Sequence, residues 1–537
     1  MRYIQLALLI FLLPLNSVKS QKKRPSKTPK LVVQITISHM RNDYIQRYWD
    51  NYGDKGFKKL INEGTNFRNT KYNHTSTQEA VGNASIVTGT TPSQHGIIAN
   101  TWYNRLKNEI IDCTNDEKYY ALGGIASAGN SSPHNLLVST LSDELKLSKS
   151  KESKVYSISS NSQSAVLMGG HLCDASYWFD SSNGNWTTNN RYLDSLPNWV
   201  NSFNSRKYPD IFKNRNWISS LPELSYIDRD SSNIKNSTKQ ILLADNSKNQ
   251  KLKYAILSQT PFINTLTKDF AVNTIINERL GYDKITDYLS VNFSATKEIE
   301  NKYGTTSLET EDCYLKLDRD LAAFIEFIDT EVGIENTLII LTSNAGIAFE
   351  PEKLKEQGIP GGVFNAEKAI SLLKSYLSLT YGKGDWVKYY HKNQIYLNHE
   401  LISESRLPLA DVQRKVAEFM TQFNGINNAI TAINIQSTNY LQGIYLKISN
   451  NFYSMRSGDV ILLLNPGWIE DNHFSLGSNS GYNYETHVPM IWYGWEIKKQ
   501  TVYREVSPID IAPTLSTVLN ISLPNSSTGN QLLEVLK

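Results

Sequence analysis

A chain of 537 residues with 40% apolar and 11% aromatic residues can build two or three domains, or one large domain with insertions, and wholesale disorder is excluded. A formal net charge of +3 provides no field suited to nucleic acid, so a nucleic-acid partner is not expected. Cys113, Cys173 and Cys313 are widely spaced with no CxxC pair; three buried thiols are expected, one disulfide plus a free thiol being the alternative.

Residues 1–20 read as an export signal peptide. Arg2 supplies the charge, "LALLIFLLPL" (6–15) the apolar core, and "VKS" a small-residue cleavage site before Gln21. About twelve apolar residues fall short of the ~20 that cross a bilayer core. No later run is long enough, so no transmembrane span is expected once the signal is removed, and the product is expected in the periplasm or outside the cell. Residues 21–30 hold Lys22, Lys23, Arg24, Lys27 and Lys30, a solvated basic leader.

From residue 31 onward, buried-strand patterns recur at "LVVQITIS" (31–38), "KVYSIS" (154–159), "DYLSVNFSA" (287–295), "TLIILTS" (337–343) and "VPMIWYG" (488–494). Helical patterns lie between them. Leu317, Leu321, Phe324, Ile325 and Ile328 share one face of 312–329, and Val412, Val416, Phe419, Met420 and Phe423 share one face of 411–423. Strands alternating with helices predict an α/β fold with a mostly parallel central sheet covered on both faces. Stretches at about 176–250 and 351–455 break the rhythm and read as insertions into a single domain spanning 31–537. Trp178, Trp186, Trp199 and Trp217 in the first of these form either a contact patch or core packing.

Several segments carry more than composition. "TGTTPSQHGIIANTWYN" (88–104), "GGHLCDASYWFDSSNGNW" (169–186), "SQTPF" (258–262), "NQIYLNHELI" (393–402), "SMRSGDVILLLNPGW" (454–468), "YNYETHVPMIWYG" (482–494) and "SPIDIAPTLSTVLNI" (507–521) together resemble the alkaline phosphatase superfamily. The resemblance is closest to secreted bacterial alkaline phosphatases with a threonine nucleophile, relatives of the type I phosphodiesterases/nucleotide pyrophosphatases. It covers roughly residues 30–537 and implies a three-layer sandwich in which two zinc ions clamp a phosphoryl group.

Carried over position by position, the resemblance finds a changed site. The family's ligand positions fall at Ser38, Lys297, Asn301, Asn344, Ala345 and His487, and only His487 keeps a ligand type. The nucleophile position falls at Glu79. The region of the family's phosphate-contacting Lys and Arg, around Asn161 and Gln163, holds no cation, while Asn100, a phosphate contact in the family, is kept. Glu79 has two roles open to it: closing a helix-capping box with Ser76, or pairing with Lys297 in place of lost metal charge. His39 and His95 lie beside the site without metal-ligand spacing between them.

The leading expectation is therefore a catalytically inactive pseudophosphatase without cofactor, acting as a binding or scaffold subunit with protein partners in the bacterial envelope. Two further readings stay open. One is a phosphoester hydrolase with a rebuilt, metal-poor site using Glu79, His487 and His39. The other is a sensor holding a phosphorylated or glycan ligand in the vacated cleft.

Overall fold

The computed structural model describes residues 28–149, 151–228, 240–241, 253–471, 476 and 479–536. The expected signal peptide (1–20), most of the basic leader and part of the first expected insertion lie outside the described residues.

Ten strands make the central sheet. In chain order they are β1 (Leu31–Ile37), β2 (Thr65–Lys71), β3 (Ala121–Leu122), β4 (Val155–Ser159), β5 (Ala175–Asp180), β6 (Asn185–Asn189), β7 (Asp287–Phe293), β8 (Thr337–Ser343), β9 (His487–Gly494) and β10 (Gln500–Val502). Their spatial order is β10-β2-β9-β8-β1-β7-β4-β5-β6-β3. The run β8-β1-β7-β4-β5 is parallel throughout, whereas β9 and β6 pair antiparallel at either side of it. This is the α/β sandwich expected from the alternation of strand and helix patterns.

Central strands buried on both faces explain the β-branched runs. In β1, Leu31, Val33, Ile35 and Ile37 join one hydrophobic core while Val32 joins the other. The two cores lie on opposite faces because successive side chains of a strand alternate. Each such fully buried aliphatic side chain contributes about 1.5–3 kcal/mol relative to exposure.

Five helices pack on the sheet around the future site: α1 (Glu79–Thr88), α2 (Ser162–Gly169), α3 (Phe262–Glu278), α4 (Ala295–Tyr303) and α5 (Leu308–Glu331). Helix α5 starts where the Ser307 hydroxyl accepts the Thr310 amide at 3.1 Å, and it buries Leu317, Leu321, Phe324, Ile325 and Ile328 as the spacing predicts. Helix α1 is buried at every residue. It approaches so closely that a Cβ on Gly82 would fall 1.8 Å from the Asn344 carbonyl oxygen. The helix ends at Gly89, in the left-handed conformation at φ +67° that glycine adopts without strain.

A second, four-stranded sheet is formed by Val387–His391, Gln394–Leu397, Val460–Leu464 and Ile426–Thr431. Helices Ala366–Tyr381 and Leu409–Met420 cover it over a core of its own that includes Leu373, Val416 and Leu462. The tryptophans resolve toward packing: Trp178, Trp186 and Trp217 are buried, and Trp199 packs against the main core with its indole N–H on Glu278 at 2.7 Å. All three cysteines are buried free thiols.

Candidate functional site

Strands β1, β7 and β8 end side by side, because Ile37 pairs with Phe293 on one flank and with Ser343 on the other. This brings Ser38, Ser294 and Asn344 to one level at the carboxyl ends of parallel strands, where ligands bind in open α/β sheets. Ser38 Oγ accepts the Asn292 and Asn344 amide groups, each at 3.3 Å, and Asn344 Oδ1 accepts the His39 backbone N–H at 3.3 Å. Ala345 offers only backbone, its carbonyl taking the Ser343 hydroxyl at 2.6 Å.

Helix α1 enters this corner with Glu79 as its first residue. The N-cap is Gln78 and no side chain caps the helix, so the Ser76–Glu79 capping box does not form; Ser76 Oγ instead donates to Asn479 Oδ1 at 3.2 Å. Glu79 is free for the other role. Lys297, on the first turn of α4, places its Nζ 2.6 Å from Glu79 Oε2 and 3.4 Å from Glu298 Oε1. The Glu79 side chain is 2% exposed and the Lys297 side chain 20% exposed. Burial alone would raise the Glu79 carboxyl, but the Lys297 ammonium and the Ser38 hydroxyl hold it below the ordinary glutamate value. Burial opposes the Lys297 charge, and Glu79 with Glu298 overcomes it, raising the lysine above its usual value. Glu79 Oε1 has no hydrogen-bond partner among the described residues.

His39 completes the group. Its backbone sits at φ +61°, a conformation few non-glycine residues adopt. Burial, aided by Lys297 and opposed by Glu79, lowers it to about 4, so the imidazole is neutral at physiological pH. Its Nδ1 is buried without a partner among the described residues.

Asn100 Oδ1 accepts the Ala80 amide at 3.0 Å and its own N–H donates to Gln78 Oε1 at 2.9 Å, so it braces the start of α1. Asn161 caps α2 by accepting the Ser164 amide at 3.1 Å, and Gln163 Nε2 donates to the Asn100 carbonyl at 3.4 Å and to Asp112. These residues hold the loop rather than present charge. Asn301 Oδ1 accepts the Leu476 amide at 3.1 Å. His487 is not brought to the group: its Nε2 lies 2.8 Å from the Arg68 carbonyl, and its charged neighbours are Lys71, Asp43 and Glu505. His95 is buried behind α1 with its Nε2 3.0 Å from Ser85 Oγ.

Two members were not legible from the sequence. Lys392, in the hairpin turn of the second sheet, donates to Gln78 Oε1 at 2.9 Å, immediately beside Glu79. Burial and the Lys297 charge lower it to about 8. Gln78, the N-cap of α1, is the link between Lys392 and the start of that helix.

The six matched ligand positions do not fit zinc. Their amides and hydroxyl are hydrogen-bonded to one another or to backbone, Ala345 has no donor, and the Lys297 ammonium stands 2.6 Å from the carboxylate of Glu79. Among the described residues no group of three His, Cys, Asp or Glu side chains is disposed to hold a metal.

The sequence of the family described as Type I phosphodiesterase / nucleotide pyrophosphatase matches residues 32–487. The chain is 32% identical over 520 residues to a Myroides odoratus protein named calcium-transporting ATPase, with 95% of each chain covered. It is 32% identical over 538 residues to alkaline phosphatase PhoV of Synechococcus elongatus, covering 97% of both chains. It is 31% identical over 526 residues to alkaline phosphatase PafA of Elizabethkingia meningoseptica, covering 96% of both. A solved structure of wild-type PafA superposes with a TM-score of 0.89 at 30% identity, covering 95% of this chain and 99% of that one.

These findings correct three expectations. An inactive scaffold is not what PhoV and PafA, relatives over nearly the whole chain, are named for: both carry the name alkaline phosphatase, and nothing among the described residues indicates a scaffold role. The expectation of a non-enzyme falls with it. So does the expectation of a cofactor-free protein, because the chain matches the very family whose resemblance implies zinc. Export stands with this membership; among the described residues no helix is long and apolar enough to cross a membrane.

Proposed function

The chain belongs to the type I phosphodiesterase/nucleotide pyrophosphatase family of the alkaline phosphatase superfamily, and from that premise we propose that it is a phosphoester hydrolase whose reacting centre is rebuilt around Glu79 and Lys297. The carrying observation is their 2.6 Å ion pair at the carboxyl end of the parallel strands, with Glu79 at the first position of α1.

Chemistry follows from charge. A carboxylate held below the ordinary glutamate value is a poor proton acceptor but is always ionised, which suits a nucleophile better than a general base. Oε2 is engaged by Lys297, whereas Oε1 keeps its lone pairs free of protein partners among the described residues. The incoming phosphoryl group competes with Glu79 for the Lys297 ammonium. As Lys297 turns to the phosphoryl oxygens, it uncovers the carboxylate and neutralises the charge that would repel it. Glu79 then bonds to phosphorus as the P–O bond to the alcohol breaks, and water hydrolyses the resulting acyl phosphate. His39, kept neutral by burial, offers Nδ1 to that water. No step is routed through zinc, since the residues here do not hold it.

The test is a panel of phosphomonoesters and phosphodiesters assayed with and without added zinc, on wild type and Glu79→Gln. Turnover that the substitution abolishes, with an acyl phosphate trapped by hydroxylamine in wild type, supports the reading. Turnover undiminished in Glu79→Gln sinks it.

A further inference from the structure

The hairpin joining Val387–His391 to Gln394–Leu397 turns through only Lys392 and Asn393, at φ +48° and +62°. Two-residue turns of this kind normally place Asn-Gly or Gly-Gly at such angles. A lysine there stores strain, and strain of this sort persists where the surroundings fix it for use. The surroundings do fix it. His391 Nε2 lies 2.8 Å from Thr101 Oγ1, the Tyr389 and Tyr103 rings stack at 5.2 Å, and Lys392 Nζ donates to Gln78 Oε1 at 2.9 Å. The second sheet thus delivers an ammonium to the side chain of Gln78, the residue that precedes Glu79 in the chain. Beside it lies a small recess of about 30 Å³, room for about one water, whose lining includes Gln78, Lys392, Asn451, Phe452 and Asn479.

We propose that Lys392 is a catalytic acid, protonating the leaving-group oxygen of the phosphoester attacked at Glu79. The assignment rests on the hydrolase reading above and adds to it a residue. The step balances: Glu79 Oε1 forms the bond to phosphorus, the P–O bond to the alcohol breaks, and the Lys392 proton goes to the departing oxygen. The resulting amine regains a proton from the water that hydrolyses the acyl phosphate. Lys297 cannot serve, because Glu79 and Glu298 hold its proton tightly. Lys392 is faced by Lys297 from α4, Asp112 and Cys113 from the strand at Glu109–Asp112 and its end, Glu470 from Trp468–Glu470, and its neighbour His391. Burial and Lys297 outweigh the acidic neighbours and bring it to about 8, matched to proton donation near neutral pH.

The experiment compares p-nitrophenyl phosphate, whose leaving group departs unprotonated, with an alkyl phosphate, whose leaving group does not. Lys392→Met is expected to slow the alkyl ester by about 100-fold or more and the nitrophenyl ester by less than about threefold. Lys392→Arg keeps the cation but cannot release its proton, so it should show the same selective loss, and it carries the test if the Met variant fails to fold. In wild type, kcat/KM for the alkyl ester should fall above pH 8, and this fall should vanish in both variants. Equal loss on the two esters overturns the assignment while leaving the hydrolase reading intact. Wild-type protein inert on both esters overturns that reading and this assignment with it.

Discussion

Lys297 Nζ stands 2.6 Å from Glu79 Oε2, joining the first turn of α4 to the first residue of α1 across 218 positions of sequence. The contact links α4, which follows β7, to α1, which packs on the Asn344 backbone at the end of β8, and it balances a carboxylate that would otherwise be buried alone. Breaking one partner of such a pair costs more than the pair itself is worth, because the survivor stays desolvated.

Lys297→Met should therefore destabilise the chain by about 3–5 kcal/mol in urea denaturation, whereas Lys297→Met combined with Glu79→Gln should cost clearly less. A cycle built from the two single variants and the double variant measures the coupling. A single-variant cost below ~1 kcal/mol, the range of exposed pairs, would mean that the two groups separate in solution.

Buried neutral histidines set the acid side of stability. His39 is lowered to about 4 and His74 to about 3 from an ordinary 6.5, in each case chiefly by burial, and His95 is lowered for the same reason. The unfolded chain binds these protons first, so the folded state loses stability as pH falls from 6.5 toward 3, and the loss is absent above 6.5. His74→Gln should flatten the slope of unfolding free energy against pH by one proton, about 1.4 kcal/mol per pH unit, between pH 4 and 6. An unchanged slope would show that His74 is protonated in the native state.

Much of this architecture is legible in the sequence, for a physical reason. The strands 31–37, 287–293 and 337–343 are buried on both faces, so most residues in them are apolar or β-branched and the pattern is dense. The opposite signs of Glu79 and Lys297, at positions that the fold brings together, made their pairing readable as well. Activity was misread because loss of familiar ligands was taken for loss of chemistry. Lys392 was invisible for a different reason. Its position depends on how a hairpin 314 residues away from Gln78 docks on the main body, and no local pattern encodes that contact. His487 keeps its imidazole for packing at the start of its strand, as one imidazole without partner ligands suggests: the Arg68 carbonyl takes its Nε2 at 2.8 Å, away from the group.

Gly82 sets the distance between α1 and the strand-end corner. A methyl group there would meet the Asn344 carbonyl oxygen at 1.8 Å and its carbon at 2.6 Å, all backbone that cannot swing aside. Gly82→Ala should move the helix, costing about 1–3 kcal/mol as overpacking does. Because Glu79 rides on the same helix, turnover should fall with stability. A crystal structure of the variant with α1 unmoved, or a melting temperature equal to wild type, would contradict this account.

The ion pair also makes an expectation about anion binding that separates charge from catalysis. In the resting site Glu79 both repels an incoming phosphate and occupies the cation that would hold it. Glu79→Gln removes the repulsion and releases Lys297, while the amide keeps the side chain's shape. Inorganic phosphate should then bind about tenfold tighter, equivalent to ~1.4 kcal/mol, even as turnover is lost. Lys297→Met should do the reverse, weakening phosphate by at least as much. Titration calorimetry on the three proteins at one ionic strength reads both effects, and constant salt matters because charge–charge terms at a cleft mouth are screened. Weaker phosphate binding in Glu79→Gln would show that the anion does not contend with Glu79 for Lys297, and the nucleophile assignment would lose its physical basis.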